Sequence, residues 1–175
     1  MAHAISLSSN NVSADRVRQL WRDFGSLENA PTMSGLDYPP HITFAVWDES
    51  NTSTAEGLIR SVFGGMSPIR LTFDRIRWFD TDPLVIWAAP SSPEELFAFH
   101  VALHRQRYFQ SCRAHYRPES WVPHCTLAMD VAADNRQQAI ELASRPITPF
   151  DVVFDAVDWV SFPPVDLKYR LGCGV

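Results

Sequence analysis

Pro40-His41-Ile42-Thr43-Phe44-Ala45-Val46-Trp47 and Pro123-His124-Cys125-Thr126-Leu127-Ala128-Met129 begin alike: proline, histidine, one variable residue, threonine, then an apolar run. The two histidines stand 83 positions apart, close to half of the 175-residue chain. In an extended segment side chains alternate between faces, so each His and the Thr two places on point the same way. The proline ahead of each His favours extended geometry in the residue before it. Two such strands, related by an internal repeat, can aim two imidazoles and two hydroxyls into one cleft.

The rest of the chain repeats in the same rhythm. Residues 2–8 alternate and predict a strand. Ser13 is a candidate N-cap for a helix carrying Val17, Leu20, Trp21 and Phe24, which Gly25 stops. Residues 26–40, with Pro31, Gly35, Pro39 and Pro40, predict a loop. After the strand His41–Trp47 comes a helix from Thr54 to Phe63, ended by Gly64-Gly65. Ile69 to Trp78 predicts a strand bulged near Asp74, and Leu84 to Ala89 another. Ser92-Pro93-Glu94-Glu95 starts a helix, with acids at the positive end of its dipole. Leu96, Phe99, Leu103 and Tyr108 fit its buried face. Loop 111–123, strand His124–Met129, helix Asp134–Ser144 and strands Phe150–Phe162 and Leu167–Leu171 follow. The order is β-α-β-α-β, then β-α-β-α-β-β. It predicts an α/β (strictly α+β) fold of duplicated split βαβ units. Its sheets are mostly antiparallel, with helices outside and a central cleft. One bilobal unit over residues 1–175 is expected, its lobes mixing the N- and C-terminal halves, with a boundary near 80–92.

Composition narrows the partners. A hydrophobic content of 46% with 20% charged residues predicts a folded globule. The net charge of −5 argues against wrapping a long nucleic acid, which calls for a basic surface. A small ligand or the end of a strand fits better. Cys112, Cys125 and Cys173 are odd in number and form no CxxC, which suggests a reducing compartment. Met1 to Leu7 lacks the basic start of a signal peptide, and no stretch approaches the roughly 18 apolar residues of a membrane span. A soluble, cytoplasmic monomer is expected.

Cleaving a phosphodiester needs a base for the attacking oxygen, an acid for the leaving oxygen, and donors to the non-bridging oxygens. Two nearby histidines titrate in separate steps, so one can be neutral while the other is charged. Thr hydroxyls can donate. On these residues the chain resembles the 2H phosphoesterases, the 2′-5′ RNA ligase or cyclic phosphodiesterase superfamily. That family is defined by two His-x-Thr/Ser motifs on a duplicated α/β fold, and the likeness spans nearly the whole chain. It implies His41 and His124 as catalytic residues and Thr43 and Thr126 as phosphate ligands, with no metal and no cofactor. It implies as partner a nucleotide or RNA terminus bearing a 2′,3′-cyclic or 2′-5′ phosphodiester. Many bacterial members carry an arginine three residues after the second Thr; this chain has Met129.

Other residues carry alternatives. Tyr38, Trp121 and Tyr169 are candidate stacking contacts for a base, and Arg170 (with Lys168) a candidate replacement cation. His100 and His104 lie one helical turn apart, a spacing that could suit a metal, though no third ligand is evident. Cys125 should face away from the motif histidine, as a core residue. Arg70, Arg75 and Arg77 fit a solvated strand face. Beside hydrolysis of a cyclic phosphate stand an RNA-end ligase or nuclease and a catalytically weak nucleotide-binding module.

Overall fold

A computed structural model describes residues 1–48 and 55–174. Its first strand, β1 (Ala2–Ser9), is buried at every position, the polar Ser6 and Ser8 included. Alternation alone predicts one wet face. Here Ile5 and Leu7 enter the main core, while Ala2 and Ala4 belong to a second apolar cluster on the other face, with Val46 and Val160.

The remaining elements follow the expected order. They are α1 (Asp15–Gly25), β2 (His41–Trp47), α2 (Ala55–Phe63), β3 (Ile69–Phe79), β4 (Leu84–Pro90), α3 (Glu94–His104), β5 (Cys125–Val131), α4 (Arg136–Ala143), β6 (Phe150–Phe162) and β7 (Asp166–Gly172). Among the described residues no helix is long and apolar enough to cross a membrane. Thr54, where the second helix was expected to begin, lies outside the described residues.

Two local expectations shift. Ala14, not Ser13, occupies the N-cap of α1. The Ser13 hydroxyl is engaged elsewhere: it donates to Asn10 Oδ1 (2.8 Å) and accepts the Val153 N–H (2.8 Å), which ties the turn to β6. Tyr108 is not on α3, which stops at His104; it sits in a 3-10 turn, Arg107–Ser111, with its ring edge against Trp47. The bulge near Asp74 is real, a register shift between Phe73 and Arg75. Arg70, Arg75 and Arg77 are exposed on β3 between buried Ile69, Leu71 and Ile76.

The sheet is antiparallel throughout, in the order β2-β1-β6-β3-β4-β5, with β7 also on β6. The order is a palindrome. Exchanging the two halves of the chain (β1 with β4, β2 with β5, β3 with β6) reads it backwards. Each half therefore lends its third strand to the other: β6 pairs β1, and β3 pairs β4. The two small sheets expected from the sequence are joined because β6, at 13 residues, runs through both. Its start pairs β3 and its end pairs β7 on one side, while β1 takes the other.

The motif strands β2 and β5 end the order, yet they touch each other, so the sheet is strongly curled. Behind them α1 packs on β5 through Val17, Leu20, Trp21 and Phe24. Ile42, Phe44, Cys125 and Leu127, the motif residues of opposite parity, are buried in the core. Burial of each large apolar side chain contributes about 1.5–3 kcal/mol. That burial fixes which way the intervening His and Thr must face, since a one-residue slip would turn Phe44 out and His41 in.

Candidate active site

Both motif histidines are oriented by the same local device. The Nδ1 of His41 lies 2.9 Å from the Pro39 carbonyl, and that of His124 lies 2.6 Å from the Val122 carbonyl, in each case two residues upstream across a proline. A carbonyl only accepts, so Nδ1 carries the hydrogen in each ring. Nε2 is then the nitrogen left to give or take a proton.

The threonines are held by a reciprocal pair of indoles. Trp21 Nε1–H donates to the Thr126 carbonyl (3.0 Å), and Trp121 Nε1–H donates to the Thr43 carbonyl (2.9 Å). Trp121 stands beside the second motif and serves the first, while Trp21, on α1 ahead of the first motif, serves the second, so the two clamps cross the repeat. The Thr43 hydroxyl lies 3.1 Å from that of Ser6 on β1.

His41, Thr43, His124 and Thr126 all line one cleft of about 770 Å³. Its walls include Met33, Leu36, Phe79, Val160 and Phe162. Burial, the largest influence, lowers both histidines from their ordinary value. The smaller influences differ. The carboxylate of Asp158 partly offsets the effect at His41, whereas the charge of His41 lowers His124 further.

Their neighbours differ in the same sense. The Tyr38 ring sits 4.9 Å from that of His41, and its hydroxyl donates to Asp158 Oδ2 (2.8 Å). Burial, then Asp158, push the Tyr38 phenol well above its usual range, which keeps it a donor. Asp158 is fully buried and accepts two more bonds from Arg170, both 2.7 Å. His124 instead stands edge-on to Phe79 (5.2 Å) and Trp87 (5.7 Å), an apolar corner.

Of the candidate substrate contacts, Tyr38 lines the cleft. Trp121 is 5% exposed and lies under α3, its ring stacked on His100 at 4.0 Å and 3°. Tyr169 and Arg170 are adjacent in an extended strand and so leave on opposite faces. Arg170 goes to Asp158; Tyr169 goes to the helical side, under the guanidinium of Arg60 from α2. Lys168 bonds Asp166.

The His100–His104 pair faces inward. His100 Nε2 meets the Tyr116 carbonyl (2.8 Å), and His104 Nε2 meets the Phe44 carbonyl (3.1 Å). Burial pushes His100 down to about 4, so it stays neutral. Among the described residues no three His, Cys, Asp or Glu side chains gather in a way that could hold a metal ion. Cys125, buried between the motif residues, is pushed up to about 12 by burial, which keeps it a thiol.

The fold also brings in residues that no motif announces. His115 and Tyr116, in a 3-10 turn (Ala114–Tyr116), line the cleft with Val165 and the proline pair Pro163-Pro164. Glu28 pins the loop before β2 to β5. Its Oε1 accepts the N–H groups of Met129 (2.7 Å) and Asp130 (2.9 Å) and the Thr32 hydroxyl, and its Oε2 accepts the Thr32 N–H. A lone Glu in a Pro-rich loop gives no local signal for that role.

A sequence model of the 2′-5′ RNA ligase superfamily matches residues 12–162. No curated protein matches the sequence. Solved structures share the fold. E. coli LigT complexed with 3′-AMP superposes with a TM-score of 0.64 at 16% identity, covering 98% of this chain and 97% of its own. A structure described as a phosphoesterase gives 0.62 at 16%, with the same coverage of both chains. TT0787 of Thermus thermophilus gives 0.64 at 11%, again over 98% and 97%. With the match running from ahead of α1 to the end of β6, both histidine strands inside it, the chain belongs to the 2′-5′ RNA ligase superfamily, the 2H phosphoesterases, whose chemistry is that of the phosphodiester bond.

Proposed function

We propose that the protein hydrolyses a 2′,3′-cyclic phosphate on a nucleotide or short RNA end, without a metal. Supporting this reading is one observation above all: two imidazoles, each with Nδ1 committed to a carbonyl, share a cleft with two threonines. That E. coli LigT was solved with 3′-AMP supports a nucleotide as occupant.

In the proposed step a neutral imidazole takes a proton from water through Nε2 as the water oxygen bonds to phosphorus. The bond from phosphorus to one ribose oxygen breaks. The second imidazole, protonated, gives its proton to that oxygen, and a phosphomonoester results. Thr43 and Thr126 hydroxyls donate to the non-bridging oxygens as their charge grows. The surroundings divide the roles. Asp158 favours a proton on His41, and the apolar corner of Phe79 and Trp87 favours a neutral His124. His41 is thus the acid and His124 the base.

The test is a panel of 2′,3′-cyclic nucleotides and 2′-5′ dinucleotides, incubated with excess chelator and resolved by mass and phosphate position. Turnover of the cyclic phosphates, undiminished by chelator, is expected. Among the described residues lining the cleft there is no carboxylate for Mg²⁺, which prefers oxygen ligands. Loss of turnover restored by added metal would contradict the mechanism. Binding without turnover would favour a nucleotide-binding module, and cleavage or joining of 2′-5′ links alone would favour the RNA-end enzyme.

The pH–rate profile should be bell-shaped, with its optimum for kcat/KM on the acid side of 6.5. The base works above its pKa and the acid below its own, and burial lowers both. An optimum above pH 8 would show that these two groups do not limit the rate.

A further inference from the structure

We propose that the cleft selects a phosphodiester with a single phosphate and uncharged, largely apolar flanking groups, and rejects substrates that bring a second phosphate into it; this rests on the cyclic phosphodiesterase reading above and narrows its substrate from RNA ends to compounds that carry the cyclic phosphate alone. The walls carry the argument. Around the two motifs stand Met33, Leu36, Val46, Phe79, Val160 and Phe162. Among the described residues lining the cleft there is no lysine, arginine, aspartate or glutamate. Apart from the two motif imidazoles, the group there that can carry positive charge is His115, exposed at its edge.

A phosphodiester carries one negative charge, which one imidazolium and two hydroxyls can balance. A terminal phosphate adds up to two more charges. Set against apolar walls with no counter-charge, these lose hydration without compensation.

The arginines nearby are engaged elsewhere. Arg170 forks onto the buried Asp158. Arg18 and Arg22 lie in a separate groove of about 460 Å³ that shares Leu36 and Tyr38 with the cleft and also contains Asp37. There Arg18 donates to Asn11 Oδ1 (2.6 Å) and Asp15 (3.3 Å), and Arg22 to Gln19 (2.7 Å). The cleft volume, about 770 Å³, is within the roughly 300–1,000 Å³ typical of small-molecule sites. The space beyond the phosphate is therefore apolar and large enough to matter.

Two substrates with the same reacting centre decide the matter: adenosine 2′,3′-cyclic phosphate bearing a 5′-O-benzyl group, and the same compound bearing a 5′-phosphate. For the wild type, kcat/KM for the benzyl compound should exceed that for the phosphate by about tenfold or more, the equivalent of 1.4 kcal/mol. A smaller ratio overturns the proposal. Met129, 49% exposed on the cleft wall, is the place to add a cation. Met129→Arg should lower the ratio at least threefold; a ratio unchanged by the arginine overturns charge as the cause. Because each ratio is internal to one protein, a general loss of activity in the variant cancels. If neither compound turns over, the phosphodiesterase reading fails. The ratio of the two dissociation constants, held to the same tenfold mark, then decides this proposal separately.

Discussion

Replacing His41 or His124 by alanine is expected to lower kcat by about 10²–10⁴-fold, the usual worth of a positioned general acid or base. The double variant should be little worse than either single one, because the two imidazoles serve one proton transfer cycle and the loss of one idles the other. The division of roles adds a sharper expectation. An acid matters when the leaving oxygen needs a proton. On a nitrophenyl phosphodiester, whose leaving group departs as a stable anion, His41→Ala should lose much less than it does on a ribose cyclic phosphate. His124→Ala should lose about as much on both. Equal losses for His41→Ala on the two substrates would reverse or erase the assignment. A single variant with near-normal kcat would remove that histidine from the chemistry. Thr43→Val and Thr126→Val should each cost less than a histidine and act on kcat, because the hydroxyls donate most strongly as charge develops.

Removing the guanidinium of Arg170 is expected to lower stability markedly. Asp158 is fully buried, and its ligands are the two Arg170 N–H groups and the Tyr38 hydroxyl. Arg170→Ala leaves a buried carboxylate with one neutral donor. The cost should be about 3 kcal/mol, the low end for unpairing a buried charge, because Arg170 is itself 46% exposed and water can partly replace it. The midpoint of urea unfolding at pH 7 reads the loss directly. In an Asp158→Asn background the same substitution should cost about 1 kcal/mol or less, since no charge is left unpaired. A midpoint that Arg170→Ala leaves unmoved would show that Asp158 does not depend on its partner. The two experiments separate two layers of the site: one removes the groups proposed to act on the phosphate, the other a guanidinium that holds Asp158, the acceptor of the Tyr38 hydroxyl.

The chain displays some of this openly and hides the rest, for reasons of distance. Alternation is local, so Ile42 and Phe44 on one side and His41 and Thr43 on the other could be sorted from eight letters. The same holds for Cys125 against His124 and Thr126. The element order followed from caps, prolines and apolar period. Hidden were the contacts made between residues far apart in the chain. Trp121 looks like a ring beside a motif, yet its indole serves the Thr43 carbonyl, 78 positions earlier. Arg170 looks like a free cation until β7 is set in register with β6, which places it opposite Asp158. Tyr169 needed the same register to show that it faces the helices. Glu28 and His115 depend on loops whose course no periodicity describes. Ser13 had the chemistry of a cap, but β6 competed for its hydroxyl and won.

The exchange of third strands also has a consequence in time. During synthesis β1 and the first histidine strand emerge early, while β6, which must lie along β1, comes some 140 residues later. At the several residues per second of a ribosome, that is a wait on the order of ten seconds. Until then β1 has one bare edge, and the apolar set Ile5, Leu7, Ile42 and Phe44 lacks much of its cover. The first half of the chain thus cannot mature ahead of the second. Completion of the sheet waits for β6, and the two histidine strands reach their full cover together.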